Sequence, residues 1–176
     1  MTKISENTVR NAIVASLPSL WRFAMSLSGR TDIADDLTQT TCLRALERVD
    51  QVYDTNGTTR WLMTICRTVW YNEKRAQAVR KTQSLDGSVG ADIASDILPV
   101  ETNIFLAEVL SEVMHLPEAQ RSVVVLVLVE GYAYREAAEI LDIPIGTIMS
   151  RLSSARKTLG NRFSDGSATS KQKVTQ

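Results

Sequence analysis

Cysteine and histidine are scarce in this sequence. Its 176 residues include two cysteines, Cys42 and Cys66, and a single histidine, His115. None of the three stands at a spacing typical of a zinc site, a disulfide framework or a nucleophilic centre. No glycine-rich loop followed by Lys and Ser or Thr is present either. We therefore expect no metal, no cofactor and no catalytic residue, and we interpret both cysteines as small buried apolar side chains.

Long apolar runs are also missing. The longest one, residues 123–129, has seven residues, whereas a membrane-spanning helix needs about 20. The first ten residues lack the basic segment followed by an apolar segment that is typical of a secretory signal. We expect no membrane insertion and a cytoplasmic location.

The chain carries no net charge, because 20 basic side chains balance 20 acidic ones. A zero total argues against a nucleic-acid partner, which usually needs a positive field. The charges are segregated, however. Residues 32–59 and 82–118 are strongly acidic, whereas residues 60–81 carry six basic side chains against one acidic, and residues 144–162 carry four against none. Because screening limits each patch to roughly 8 Å, these blocks predict separate surfaces for separate partners; solvated helix faces are the alternative.

Apolar residues recur at helical spacing, and no segment alternates cleanly at period two, so we predict an all-α fold. The predicted helices span residues 8–28, 32–49, 58–79, 101–116, 117–130, 134–141 and 144–159. Residues 81–100 are rich in Gly, Ser and Asp and predict a flexible acidic linker. We expect a helical domain over 1–80, a second over 101–163 and a disordered tail over 164–176.

The third predicted helix has two different faces. Its predicted core stripe consists of Leu62, Ile65, Cys66, Val69 and Ala76, and basic side chains with Tyr71 lie opposite. Trp61 and Trp70 fall on the flanks. Cations beside aromatic rings suit unpaired nucleic acid, since cations neutralise phosphates and each stacked base adds roughly 1 to 3 kcal/mol. The alternative is that both tryptophans rim the core and the cations are solvated.

A helix, a tight turn and a second helix are predicted over residues 134–141, 142–143 and 144–159. Pro144 suits the first helical turn, where its missing N–H costs nothing. The buried stripe of the last helix is predicted to consist of Ile145, Ile148, Leu152, Ala155 and Leu159. Its outer face carries small polar residues with arginines at the margins, which fits a helix lying in a DNA major groove. A generic helical hairpin would have a similar pattern.

Four segments in order resemble a known family. Residues 32–39 (DIADDLTQ) are similar to "DxxDLxQ", and residues 61–67 (WLMTICR) to "WLxxIxRN". Residues 116–118 read LPE, and residues 130–152 are similar to "EGxSYxEIAExLxxPxGTVxSRL". Over nearly its whole length the chain thus resembles the group IV, or extracytoplasmic-function (ECF), sigma factors of the sigma-70 superfamily.

This resemblance implies a subunit, not itself an enzyme, that binds core RNA polymerase and directs promoter recognition, DNA opening and transcription initiation. It implies three partners: core RNA polymerase, promoter DNA and an anti-sigma factor. The compact segment 60–75 also resembles the subgroup that serves general stress responses. Implied core-polymerase contacts are Asp35, Asp36, Leu37 and Gln39. Implied minus-10 contacts are Arg60, Trp61, Thr64, Arg67, Thr68, Trp70, Tyr71, Lys74 and Arg75. Implied minus-35 contacts are Thr147, Met149, Ser150, Arg151, Ser153, Ser154, Arg156 and Lys157.

Three positions depart from the family pattern. Thr40 replaces a Glu of the acidic segment, Thr68 replaces a frequent Asn, and Ser154 stands where many members carry Arg. The competing hypothesis is a stand-alone helix-turn-helix regulator. Such a regulator would bind duplex DNA without polymerase and would have no use for the basic face of the third helix.

Overall fold

Helices account for all the regular structure in the described part of the chain. The structure, a computed structural model, describes residues 5–49, 52, 54–83 and 104–170. The helices are α1 (Glu6–Ser28), α2 (Thr31–Leu46), α3 (Thr58–Gln83), α4 (Ile104–Met114), α5 (Glu118–Val124), α6 (Tyr134–Leu141) and α7 (Ile145–Ser170); a π-helical turn, Val125–Val129, extends α5. The all-α prediction is confirmed. Within the described residues, no helix combines the length and apolar character needed to cross a bilayer.

The N-terminal half is a bundle of α1, α2 and α3. The Ser5 hydroxyl starts α1 by accepting a hydrogen bond from the Thr8 N–H at 3.2 Å. Gly29 ends this helix in the left-handed conformation, with φ of 71°, and its N–H donates to the Met25 carbonyl at 2.9 Å. The turn is tight enough for α2 to begin at Thr31 and fold back on α1.

The C-terminal half packs α5 and α6 against α7. A hydrogen bond of 2.9 Å from the Glu130 N–H to the Val125 carbonyl closes the π-helical turn. Asp142 then ends α6 with φ of 52°, so that the chain turns sharply into α7. The inner faces of α6 and α7 meet through side chains that are fully or almost fully buried: Ala137, Ile140, Ile148, Leu152 and Ala155. This pair has the predicted helix, turn, helix order.

Several predicted boundaries differ from the structure. The last helix, predicted to end at residue 159, continues to Ser170, and residues 164–170, predicted to be disordered, are helical. α3 likewise continues to Gln83, so that residues 81–83 of the predicted linker are helical. Once a helix has formed, each added residue makes one further hydrogen bond without a new nucleation step. A helix can therefore extend beyond the residues that contact the core. The rest of the predicted linker and residues 171–176 lie outside the described residues.

The two halves share one hydrophobic core, because α1 packs against α5 and the π-helical turn, and α3 packs against α6. A buried side chain of α5, Arg121, lies at this seam. Its Nε donates to the Ser26 carbonyl at 2.6 Å and its Nη2 to the Leu27 carbonyl at 3.3 Å. Its Nη1 donates to the carbonyls of Met114, at 2.9 Å, and Leu116, at 3.3 Å. One guanidinium thus satisfies backbone acceptors at the ends of α1 and α4.

Gly29 leaves room for this arginine. A Cβ atom at that position would lie 3.0 Å from Arg121 Nη2, and the positive φ would strain any other residue. The glycine that ends α1 therefore also accommodates the guanidinium that binds α5 to α1.

We expect Arg121→Ala to lower the free energy of unfolding by about 2 to 4 kcal/mol, because it leaves buried carbonyl groups without donors. Arg121→Lys should restore only part of the loss, since one ammonium cannot serve both helix ends. Urea denaturation followed by far-UV circular dichroism measures both changes. Arg135→Ala, at an exposed arginine of α6, is the control. Equal stability of the Arg121→Ala and Arg135→Ala variants would contradict the role of Arg121.

Candidate nucleic-acid interface

α3 is packed along its first half and exposed along its second. Leu62, Met63, Cys66 and Val69 are buried between α1 and α2. All the side chains of residues 71–80 are exposed, so this half of α3 projects from the bundle. The predicted burial of Ala76 is therefore wrong: helical periodicity identifies a face, but no helix in the described part of the chain covers Ala76.

The two tryptophans of α3 have different environments. Trp61 is half-buried and lines a cleft between α3 and α6 together with Thr64 and Glu139. Trp70 is only 8% exposed, and its Nε1 donates to Glu118 Oε1 at 3.1 Å. In this structure Trp70 therefore cannot stack on a base, contrary to its expected place on the DNA-facing side, because Glu118 at the start of α5 lies against that flank.

Lys74 is held beside the same carboxylate. Its Nζ lies 2.7 Å from Glu118 Oε2 and 5.3 Å from the centre of the Trp70 ring. Partial burial, and then the charge of Glu118, raise the pKa of Tyr71 above its usual value. Glu118, the first residue of α5, thus lies against both a cation and an aromatic side chain of the predicted minus-10 face.

Arg60 and Arg67 also meet acidic groups of the C-terminal half. Arg60 Nη1 lies 3.7 Å from Glu136 Oε1 and 3.5 Å from Glu139 Oε2. Arg67 Nη1 donates to Asp142 Oδ2 at 3.3 Å and to the Leu141 carbonyl, also at 3.3 Å. Three of the four predicted minus-10 cations are therefore paired across the seam in this structure.

The other predicted minus-10 residues are accessible to different degrees. The Thr64 hydroxyl donates to the Arg60 carbonyl at 3.1 Å, and the Thr68 hydroxyl to the Thr64 carbonyl at 2.9 Å, so both bond to their own helix. Thr64 is half-buried, whereas Thr68, Tyr71 and Arg75 are exposed.

α7 presents a polar outer face. Exposed side chains on it are Met149, Ser150, Ser153, Ser154, Arg156 and Lys157, and half-buried ones are Thr147 and Arg151. The predicted inner stripe is correct for Ile148, Leu152 and Ala155, and Leu159 is half-buried, but Ile145 is 49% exposed. Ile145 begins the helix, before α7 reaches the core. The side chains predicted to face bases thus lie on the solvent side of the second helix of a helix-turn-helix.

α2 presents a third surface, which is acidic and partly apolar. Asp35, Asp36 and Gln39 are exposed, and Asp35 accepts a hydrogen bond of 2.7 Å from the Trp21 side chain of α1. Leu37, predicted among the polymerase contacts, is buried and belongs to the bundle core.

The sequence analysis missed two exposed leucines on α2. Leu43 is 63% exposed and Leu46 is 39% exposed. Successive spacings of three, four and three residues place Asp36, Gln39, Leu43 and Leu46 on one helical stripe. This spacing was the available signal, since it places the two leucines side by side, and contiguous exposed apolar patches, unlike single exposed residues, mark interaction sites.

A basic helix that projects from one half and a helix-turn-helix in the other define a helical DNA-binding protein. Comparison with known families is more specific. The family model for sigma-70 region 2 matches residues 12–80, and the model for sigma-70 region 4 matches residues 106–159. The chain belongs to the sigma-70 family, as an alternative sigma factor of the ECF group.

Individual relatives support this assignment. The chain is 37% identical over 154 residues to the ECF RNA polymerase sigma factor EcfG of Rhodopseudomonas palustris, a match that covers 87% of this chain and 83% of the relative. It is 31% identical over 155 residues to the ECF sigma factor SigC of Mycobacterium tuberculosis, over 84% of this chain and 78% of that one.

A solved structure shares the fold. The sigma factor RpoE of Bartonella quintana, crystallised with the anti-sigma factor NepR, matches with a TM-score of 0.73 and 30% identity. The match covers 86% of this chain and 94% of RpoE. The likeness thus extends over both halves of the chain.

The buried face of α3 predicts how the cysteines react. Burial raises the pKa of the Cys66 thiol to about 12, so at pH 8 only roughly one molecule in ten thousand carries the reactive thiolate. Burial also raises the pKa of the half-buried Cys42. We expect iodoacetamide to leave Cys66 unmodified at pH 8 and to label it once urea unfolds the chain.

Peptide mass spectrometry measures this labelling, and a Cys42→Ser variant isolates the signal of Cys66. Labelling of the folded protein at the rate of the unfolded chain would show that α3 is not packed as described.

Proposed function

We propose that the three surfaces divide the work of a sigma factor: α2 binds core RNA polymerase, α3 binds the minus-10 element as it opens, and α7 reads the minus-35 element as duplex. This assignment rests on the chemistry of the three surfaces. The surfaces lie on separate helices, and each has the charge and side-chain size that its target requires.

The α2 surface suits a basic protein partner. Leu43 and Leu46 offer apolar area, and Asp35, Asp36 and Gln39 surround it with acidic and polar groups. In such an interface apolar burial supplies affinity, while the charges favour one orientation and one partner. Leu37 contributes indirectly, since it holds α2 on the bundle.

The α3 surface suits an unpaired strand. Arg60, Arg67, Lys74 and Arg75 provide cations for phosphates, and Trp61 and Tyr71 provide rings on which bases can stack. Thr64 and Thr68 lie between them. Trp70 is buried beside Glu118 in this structure and joins these rings only when the C-terminal half moves away from α3.

The α7 surface suits a major groove. Ser150, Ser153 and Ser154 are short enough for close approach, and Met149 offers an apolar contact to a base. Thr147, Arg151, Arg156 and Lys157 lie within reach of phosphates and fix the register of the helix.

This function requires no catalytic residue, so we assign the chain no enzymatic activity. Each DNA contact is weak alone, and tethering both to polymerase raises the effective concentration of the second. We place the chain in the cytoplasm, where polymerase acts, and we assign it to a stress response. By analogy with the RpoE complex, which contains NepR, we propose an anti-sigma factor as a further partner.

Run-off transcription with core polymerase tests the assignment of α3. The combined change of Arg67, Lys74 and Arg75 to Ala should reduce promoter opening about 10-fold or more, because it removes the cations that neutralise phosphates of the melted strand. Duplex binding by the same holoenzyme should change far less. Permanganate reactivity of minus-10 thymines reports opening, and a filter-binding assay reports duplex binding.

The control for this experiment removes three exposed arginines elsewhere, at positions 10, 48 and 135. If the α3 variant opens promoters as well as this control does, the assignment of α3 is wrong. Tight binding of duplex DNA without polymerase would instead favour a stand-alone regulator.

The assignment of α7 predicts a change in salt dependence. Arg156→Ala with Lys157→Ala should weaken binding of the holoenzyme to promoter duplex by a similar factor across minus-35 sequences. The slope of log affinity against log salt should fall by about two, because two phosphates would no longer be neutralised by the protein. Titration of fluorescent duplex at several salt concentrations measures both quantities. An unchanged slope would place these side chains away from phosphate.

A further inference from the structure

Three cations of α3 form one row, and acids of the C-terminal half cover it. Arg60, Arg67 and Lys74 are spaced seven residues apart, so they lie on one side of the helix at intervals of about 10.5 Å. Each contacts at least one carboxylate of α5, α6 or the turn after α6, at 2.7 to 3.7 Å. The covering acids are Glu118, Glu136, Glu139 and Asp142.

We propose that the C-terminal half inhibits the minus-10 surface of its own chain, with these four carboxylates occupying the positions that DNA phosphates take in the open promoter. Carboxylate and phosphate oxygens accept the same charge-assisted hydrogen bonds from arginine and lysine. The inference rests on the proposed role of α3, and it adds that DNA and the C-terminal half compete for one set of cations.

The pairs across α3 are suited to exchange. The side chains of Glu139 and Asp142 are 58% and 76% exposed, and ion pairs this open to water are individually weak and are screened by salt. Their carboxylates can therefore exchange with other anions. A strand that brings several phosphates to the row can replace them together.

Trp70 belongs to the same inhibited state. Glu118 accepts hydrogen bonds from both Trp70 and Lys74, so one carboxylate covers an aromatic ring and a cation. Withdrawal of α5 from this flank would uncover both groups at once. The closed arrangement thus blocks stacking as well as phosphate binding.

The opposite side of the seam holds the closed arrangement in place. Arg121 binds the end of α1, and Arg22 Nε donates to Glu130 Oε1 at 2.6 Å. The Glu130 side chain is only 7% exposed. Buried contacts beside α1 therefore favour closure, while the exposed pairs beside α3 determine whether DNA can compete.

The first test neutralises the covering acids without changing their shape. We combine Glu118→Gln, Glu139→Gln and Asp142→Asn, and we keep Glu136 because its carboxylate also accepts the Ala133 N–H at 3.0 Å. Asn tolerates the left-handed conformation at position 142. The control, Glu6→Gln with Glu47→Gln and Asp54→Asn, loses the same charge at exposed positions in the N-terminal half.

The measured quantity is the anisotropy of fluorescein-labelled oligothymidylate at low salt, with the full chain and no polymerase. We expect the seam variant to bind about 10-fold more tightly than the control variant. Equal affinities of the two variants would overturn the inhibition.

The second test traps the closed state in the unmodified protein. A zero-length carbodiimide should join Lys74 Nζ to the Glu118 carboxylate, since the two atoms lie 2.7 Å apart. The cross-link should form in the free chain and decrease when oligothymidylate is bound. Peptide mass spectrometry detects it. Its absence from the free chain would overturn the inhibition, whatever the binding results.

Arg75→Ala separates this inference from the proposed function. Arg75 is exposed on α3 and contributes no pair to the seam described above. If Arg75→Ala weakens oligothymidylate binding while the seam variant equals its control, α3 binds DNA and the inhibition is wrong. If neither Arg75→Ala nor the seam variant changes oligothymidylate binding, although the cross-link forms in the free chain, the assignment of α3 to DNA is wrong. The proposed inhibition is then wrong as well.

Discussion

The arrangement of this protein depends on one buried guanidinium. Arg121 has no carboxylate within its hydrogen-bonded group and is surrounded by backbone carbonyls at the ends of α1 and α4. Carbonyls at a helix C-terminus carry partial negative charge, so they can stabilise a cation that burial would otherwise disfavour. Burial lowers the pKa of Arg121, but the group stays charged at physiological pH. Because this contact fixes α5 on α1, it also helps to hold Glu118, at the start of α5, against α3.

The seam between the halves therefore combines two kinds of interaction. Beside α1 the contacts are buried, and breaking them exposes apolar surface and unpaired carbonyls. Beside α3 the contacts include ion pairs that water and salt can reach, and their acids can be replaced by phosphates. A chain built in this way can be stable as a folded unit and still exchange partners on one face. Trp70 is buried although periodicity places it on a flank of α3. The residue that covers it, Glu118, lies 48 positions further along the chain.

The sequence was sufficient for features that depend on local periodicity and insufficient for those that depend on distant neighbours. Helical spacing predicted the helices, the inner stripe at Leu62, Cys66 and Val69, and the serine face of α7. The same spacing was wrong for Ala76 and Ile145, which lie on the correct side of a helix but are not covered by another helix among the residues that the structure describes. Nothing local distinguishes Arg121 from an exposed arginine, because two of its four carbonyl partners, those of Ser26 and Leu27, lie more than 90 residues earlier. The motifs indicated the family, whereas the pairing across the seam required a structure.

The ion pairs between α3 and the C-terminal half explain part of the zero net charge, because they join cations and acids of the same chain. Three cations of the basic block of α3, Arg60, Arg67 and Lys74, are paired within the folded chain with acids at positions 118 to 142, most of which lie outside the two long acidic blocks. The outer face of α7 differs: in the part of the chain that the structure describes, its cations Arg156 and Lys157 are exposed and lie outside the row of pairs that covers α3. If the carboxylates inhibit α3 as proposed, the closed chain still presents its surface for duplex DNA while its surface for unpaired DNA is covered. Recognition of the duplex and capture of the melted strand then become separate steps, because the second requires the seam beside α3 to open.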